Sequence, residues 1–101
     1  MIIRNLENSP KVPFDLEAFT LHSEKHLELV HLQLNPQEKL EEHKNPFDVI
    51  FFVAEGKGIL SIEGKNHKLK TNDVIKVTSD KNRAWINNSN TDLRLLVIKL
   101  L

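Results

Sequence analysis

The chain has 101 residues, of which 40% are apolar, and this predicts one compact domain with a modest core. Its 14 basic and 14 acidic side chains cancel, so no net charge attracts nucleic acid or an anionic membrane surface. There is no cysteine, which excludes disulfides, thiolate zinc sites and cysteine nucleophiles.

Along the chain, apolar residues alternate with a period of about two and almost never follow the helical period of about 3.6. The segment FDLEAF, residues 14–19, is the one candidate for a helical turn, with Asp15 as its cap. Five later segments are predicted strands: HLELVHLQL (26–34), DVIFFVA (48–54), GILSIEG (58–64), DVIKVTS (73–79) and LRLLVIKL (93–100). Turn residues separate them, as in NPQEK, EGKN and NNSNTD. The pattern predicts an all-β protein, an antiparallel β-barrel or jelly roll of about eight or more strands with at most a turn or two of helix.

Two stretches resemble the sequence motifs of the cupin superfamily. The first motif is glycine, five residues, His-x-His, three or four residues, glutamate, six residues and glycine, and it falls without a gap on Gln37, His43, Asn45, Val49 and Gly56. The second is glycine, five residues, Pro-x-Gly, two residues, histidine, three residues and asparagine, and it falls on Asn72, Thr78, Asp80, Arg83 and Asn87. The resemblance implies a single cupin-like domain over residues 1–101, with its core at about 27–100 and an N-terminal strand or turn extension at 1–26.

In the resembled family, the two histidines, the glutamate and the second histidine position bind a metal. Here the same positions hold His43, Asn45, Val49 and Arg83. Transition metals prefer three or four converging imidazole, carboxylate or thiolate ligands, so we expect no metal cofactor. The alternative is a two-histidine site made by His43 and His31. The strand that contains His31 is apolar on both faces, so alternation leaves open which way His31 points.

The segment RAWIN suggests a different use of the same position. If strand alternation holds, Arg83, Trp85 and Asn87 share one face and meet Phe51 of the strand at 48–54. An arginine beside an aromatic wall and an imidazole is suited to a ligand that carries a carboxylate or phosphate. The candidate ligand-binding residues are therefore His31, His43, Asn45, Phe51, Arg83 and Trp85.

Each candidate also has a purely structural explanation. Arg83 could form an ion pair with Asp48 or Glu63, because an unpaired buried charge is unfavourable. Trp85 and Phe51 could be ordinary core residues, His43 could hydrogen-bond a loop, and Asn87 could hydrogen-bond the backbone of the turn that follows it. These alternatives remain open at the level of sequence.

Three classes of function follow. The first is a metal-free module that binds a small, anionic molecule. The second is an enzyme: either a metal-dependent, dioxygenase-like cupin with His31 and His43 as ligands, or a metal-independent isomerase or epimerase with His43 as general base. The third is a structural dimer with a vestigial pocket.

The expected partners are a small molecule and a second copy of the chain, without nucleic acid or membrane. A homodimer is expected because HLELVHLQL and LRLLVIKL are apolar on both strand faces, more than one small interior can bury. No segment approaches the roughly 18 apolar residues of a membrane span, and the amino terminus lacks a secretory pattern, so we expect a cytoplasmic protein.

Overall fold

A computed structural model describes residues 1–101, and it contains nine β-strands and no helix. The strands are β1 (Glu17–Glu24), β2 (Leu27–Leu34), β3 (Lys39–His43), β4 (Asp48–Glu55), β5 (Lys57–Ile62), β6 (Lys65–Lys70), β7 (Val74–Val77), β8 (Arg83–Ile86) and β9 (Leu93–Leu100). The prediction of an all-β fold is confirmed. None of these elements is a helix of the length and apolarity that a membrane crossing requires.

The strands form two antiparallel sheets. The larger sheet has the order β1-β2-β9-β4-β7 and the smaller has the order β3-β8-β5-β6. Neighbours in space are often distant in sequence, since β9 lies between β2 and β4 and β8 lies between β3 and β5. These long-range pairings bring the two motif segments, which contain β3 and β8, side by side.

The core lies between the two sheets and is built from alternate residues. In β4, the side chains of Val49, Phe51 and Val53 are buried, while Ile50 and Phe52 on the other face are partly exposed. Strand β9 follows the same rule and buries Leu93, Leu95 and Val97, whereas β2 buries Val30, Leu32 and Leu34 on its inner face and also His31 on its outer face. Burial of these apolar side chains is the main favourable contribution to folding.

The predicted helical turn at 14–19 is wrong. Residues 13–16 bend, and the chain enters β1 at Glu17. The backbone amide of Val12 donates to the carbonyl of Ala18 at 2.8 Å, so residues 10–12 fold back along the start of β1. In this extended backbone the side chain of Ala18 points into the core and is 3% exposed.

Candidate functional site

Strand β8 directs its alternate side chains into the space between the sheets. Arg83, Trp85 and Asn87 are 1%, 0% and 0% exposed, as alternation along RAWIN predicts. Because β8 is flanked on both sides by β3 and β5, its backbone cannot shift to bring the arginine out to solvent. The sequence therefore places a guanidinium group among core side chains.

Arg83 has no partner within the protein. Its Nε and Nη1 atoms are buried without a hydrogen bond, and none of the ion pairs of the structure includes it. The two carboxylates that sequence offered as partners are engaged elsewhere: Asp48 accepts from the Ser79 amide at 2.9 Å, and Glu63 accepts from the Asn82 amide at 3.2 Å. Arg83 therefore forms an ion pair with neither carboxylate.

The positive charge of Arg83 is therefore buried in an apolar environment without a partner. Desolvation by burial lowers the pKa of its guanidinium from the ordinary value. An arginine nevertheless keeps its proton in proteins, so it cannot escape burial by becoming neutral. A buried charge without a partner is strongly disfavoured, and an anion from outside the chain would relieve it.

Arg83 lines a cavity of about 230 Å³ between the two sheets. Twelve residues line it, eight of them apolar and none of them acidic: Val12, Phe14, Ala18, Val30, Leu32, Leu40, His43, Asn45, Phe51, Arg83, Val97 and Lys99. Ligand sites in proteins are commonly apolar cavities with a few polar groups. The polar groups here are His43, Asn45, Arg83 and Lys99.

His43 lies directly beside Arg83. The two residues are register partners on β3 and β8, next to an irregularity of β3 between Leu40 and His43. Nδ1 of His43 is 2.9 Å from the carbonyl oxygen of Glu41. Because a carbonyl oxygen can only accept, Nδ1 carries the hydrogen, and in the neutral imidazole this leaves Nε2 as a hydrogen-bond acceptor. Both His43 and the amide-bearing Asn45 face the cavity.

Lys99 is a second cation at the cavity, and it is already paired. Its Nζ atom is 3.1 Å from Oε1 of Glu28 and 5.9 Å from the centroid of the Phe47 ring. The charge of Lys99 is thus compensated within the protein, whereas that of Arg83 is not.

Sequence reasoning named four of the twelve residues that line the cavity, and the eight that it missed include Val12, Phe14 and Lys99. Lys99 could have been found, because it is two residues after the buried Val97 and therefore on the same face of β9. No local signal marks Val12 and Phe14, which come from an irregular segment before β1.

Trp85 is a core residue that does not line the cavity. It is fully buried and packs edge to face against Phe51, with ring centroids 5.5 Å apart and an interplanar angle of 78°. Phe51 therefore forms the cavity wall and Trp85 lies behind it. The prediction that Trp85 would face a ligand is therefore wrong. Its indole ring fills the interior behind Phe51.

His31 lies on the other face of the larger sheet, away from the cavity. Its neighbours on β2, Val30 and Leu32, point inward, so alternation turns His31 outward, where it is still only 4% exposed. Its Nε2 accepts a hydrogen bond of 3.0 Å from Nε of Arg94. Desolvation, and then the charge of Arg94, lower the pKa of His31 below its ordinary 6.5. His31 and His43 cannot form a shared site.

Asn87 has the structural role that sequence offered as an alternative. Its amide donates to the carbonyls of Leu34 and Thr91 at 2.9 and 2.8 Å, and its oxygen accepts from the amide and hydroxyl of Ser89. This fully satisfied amide fastens the turn after β8 to the end of β2.

The residues at the four metal-binding positions of the resembled family do not fit a metal. Among them, His43 is the one strong ligand, because Asn45 offers a weak amide oxygen and Val49 offers hydrocarbon. Arg83 adds a positive charge at the point where a cation would bind. No three histidine, aspartate or glutamate side chains of the chain converge in a way that could hold a metal ion.

Three solved structures have folds similar to that of this chain over almost its whole length. A predicted oxalate decarboxylase from Thermotoga maritima has a TM-score of 0.88 at 21% identity and is covered over 99% of both chains. The polyketide cyclase RemF from Streptomyces resistomycificus has a TM-score of 0.88 at 12% identity, covering 99% of this chain and 79% of that one. A cupin 2 conserved barrel domain protein from Salinispora arenicola has a TM-score of 0.85 at 18% identity, covering 100% of this chain and 89% of its own.

Such low identities establish a common fold and carry no activity across to this chain. No curated protein matches the sequence. The sequence profile of the cupin domain family matches residues 30–99. That match spans β3 and β8, whose side chains His43 and Arg83 form the cavity, and extends to β9. The chain therefore belongs to the cupin domain family.

Proposed function

We propose that this cupin binds a small anionic molecule, without a metal, in the cavity beside Arg83. The observation that carries the proposal is a buried guanidinium without any partner, next to an open cavity that contains no carboxylate. A carboxylate from solution would accept parallel hydrogen bonds from the guanidinium and neutralise it. The apolar walls would exclude water and strengthen this contact.

The donor set supports binding without a metal. A single strong ligand, His43, beside a permanent cation gives a transition metal neither the ligand number nor the charge that it needs. The purified protein is expected to contain substantially less than one equivalent of transition metal by elemental analysis. Stoichiometric nickel, iron, manganese or zinc that is lost in His43→Ala would contradict this.

The binding proposal is tested by thermal shift and calorimetric titration with simple carboxylates and with inorganic phosphate. An anion that occupies the cavity should raise the melting temperature of the wild type in proportion to the logarithm of its concentration. Arg83→Met should abolish the shift. Arg94→Met is the matched control, because Arg94 hydrogen-bonds His31 on the other face of the larger sheet and does not line the cavity, and it should retain most of the shift. A shift that persists in Arg83→Met would refute the proposal.

A second candidate is a metal-independent isomerase or epimerase. It is favoured by one observation, the acceptor nitrogen Nε2 of His43, which could remove a proton from a carbon next to a carboxylate held by Arg83. Exchange of that proton for deuterium in heavy water, followed by NMR, distinguishes the candidates. Exchange that disappears in His43→Gln would establish the enzyme, and its absence with a bound acid would leave a binding module.

We also propose that two copies associate through the outer face of the larger sheet. Seven large apolar side chains point outward there from β2, β4 and β9 and stay partly exposed: Leu27, Leu29, Ile50, Phe52, Leu96, Ile98 and Leu100. A contiguous apolar face of this kind is typical of an interface, and a twofold axis would bury it against itself. Sedimentation that gives the mass of one 11.7 kDa chain at micromolar concentration would rule the dimer out.

A further inference from the structure

The charges at the cavity set the charge of its ligand. Two permanent cations, Arg83 and Lys99, line it, and Glu28 already neutralises Lys99 at 3.1 Å. One positive charge is left uncompensated, so a single negative charge on the ligand balances the site. A dianion would bring a second charge into the apolar interior without a partner, which is unfavourable. The site thus favours a monocarboxylate over a dicarboxylate.

The orientation of His43 sets a second feature of the ligand. Since Nδ1 donates to the carbonyl of Glu41, Nε2 of the neutral ring can only accept. A carboxylate oxygen cannot donate to it, whereas a hydroxyl group can. His43 and Arg83 are register partners, and such pairs have Cβ atoms about 5 Å apart. Because the two side chains start side by side, a hydroxyl close to the carboxylate, on the adjacent carbon, is suited to His43 while the carboxylate binds Arg83.

The volume and the walls of the cavity set the rest of the ligand. The cavity measures about 230 Å³, and a protein cavity of about 150 Å³ is already sufficient for benzene. There is thus room for a ring in addition to a carboxylate and a hydroxyl. Phe51 forms one wall, and Val12 and Phe14 contribute from the segment before β1. Phe14 is 47% exposed, an unusual position for a phenylalanine, and a ring in the cavity would cover part of it.

From these three constraints we infer that the ligand is a 2-hydroxy monocarboxylate with a ring-sized apolar body. The carboxylate binds Arg83, the hydroxyl donates to Nε2 of His43, and the apolar body lies between Phe51 and Phe14. The inference rests on the proposed function, because it assumes that Arg83 binds an anion. It adds the number of charges, the second polar group and the size.

The test is a titration of the protein with four acids that differ by one group. Mandelate has all three features, phenylacetate lacks the hydroxyl, lactate lacks the ring, and phenylmalonate replaces the hydroxyl with a second carboxylate. Mandelate should bind tightest. Loss of one hydrogen bond should weaken phenylacetate up to about tenfold, and loss of the buried ring should weaken lactate by about 30-fold or more. Phenylmalonate should bind at least about tenfold more weakly than mandelate, because its second charge has no partner.

Three variants assign these differences to residues. His43→Leu should bind mandelate and phenylacetate equally, and its continued binding of phenylacetate would show that the site is intact. Phe14→Ala should weaken mandelate several-fold and leave lactate unchanged. Arg83→Met should abolish binding of every acid.

The outcomes separate this inference from the proposed function. If mandelate binds no better than phenylacetate or lactate, but Arg83→Met still abolishes binding, the inference is overturned and anion binding stands. The same conclusion follows if phosphate or phenylmalonate binds as tightly as mandelate. If none of the acids binds, or if Arg83→Met leaves binding unchanged, both proposals fail. Only the predicted ranking, together with its loss in His43→Leu, supports the 2-hydroxy monocarboxylate.

Discussion

Replacing Arg83 with methionine should make the protein more stable, which is the opposite of what most core substitutions do. The wild-type guanidinium is 1% exposed and has no hydrogen-bond or ionic partner in the protein. The effective penalty for burying such an ion is several kcal/mol. Methionine has a similar unbranched shape, fills most of the same volume, and carries no charge or donor.

The net gain is the difference between two terms. Removing the buried charge should stabilise the fold by several kcal/mol, and imperfect replacement of volume should cost about 1 kcal/mol. We therefore expect a net increase of about 1–3 kcal/mol in the free energy of unfolding. For a domain of this size, with about 4–8 °C per kcal/mol, the melting temperature should rise by about 5–20 °C.

The assay is urea denaturation and calorimetry in a buffer free of carboxylates and phosphate, because a bound anion would stabilise the wild type selectively. Arg94→Met is the matched control. Arg94 donates to Nε2 of the buried His31 at 3.0 Å, so its loss should destabilise the fold by about 1–2 kcal/mol. If Arg83→Met destabilises as Arg94→Met does, the guanidinium has a stabilising partner, and the argument for a vacant anion site fails.

Three further outcomes test the structure. His31 has a lowered pKa in the fold because of burial and a neighbouring arginine, so the unfolded chain binds more protons and stability should fall as pH drops below 6.5; His31→Gln should remove this loss, and an unchanged pH profile would contradict it. Asn87→Ala should lower the free energy of unfolding in urea by about 2–4 kcal/mol, because the buried carbonyl of Leu34 loses its donor and the turn after β8 loses the hydrogen bonds of the amide; a loss under about 1 kcal/mol would be inconsistent. Gly56 and Gly64 both have positive φ, 86° and 77°, but an added Cβ would collide with a backbone oxygen only at Gly56. Gly64→Ala should therefore cost about 1–2 kcal/mol and Gly56→Ala clearly more, and equal losses would argue against the packing described.

The sequence predicted five of the nine strands and missed those in which apolar alternation is weak or the strand is short. The five predicted strands all exist, with ends shifted by up to a few residues. Strands β3 (KLEEH) and β6 (KNHKLK) carry charged residues on both faces, so their alternation is too weak to detect. They are strands because they lie at the two edges of the smaller sheet and hydrogen-bond to β8 and β5. Part of β1 was predicted as helix, since one acidic residue before an apolar pair is compatible with either state.

The sequence likewise indicated some residues of the candidate site and not others. The position of Arg83 in the resembled motif indicated an inward side chain, and Arg83 is buried. Alternation placed Trp85 and Asn87 on the same face, because the face of a side chain in a strand is a local property of the backbone. It could not orient His31, whose strand is apolar on both faces. It could not find Phe14 either, since an irregular segment reaches the cavity through backbone contacts with β1.

Whether Arg83 is paired was decided only by the tertiary structure. On the sequence, Asp48 and Glu63 were both reasonable partners for it. In the fold, the first caps the backbone at Ser79 and the second caps Asn82, which leaves the guanidinium beside an open cavity. The alternation of apolar and polar residues indicates which face of a strand is buried. Whether a buried charge has a partner depends on which groups from distant segments meet in space. Because those meetings follow from strand order and loop geometry, only the assembled sheets show that Arg83 is unpaired.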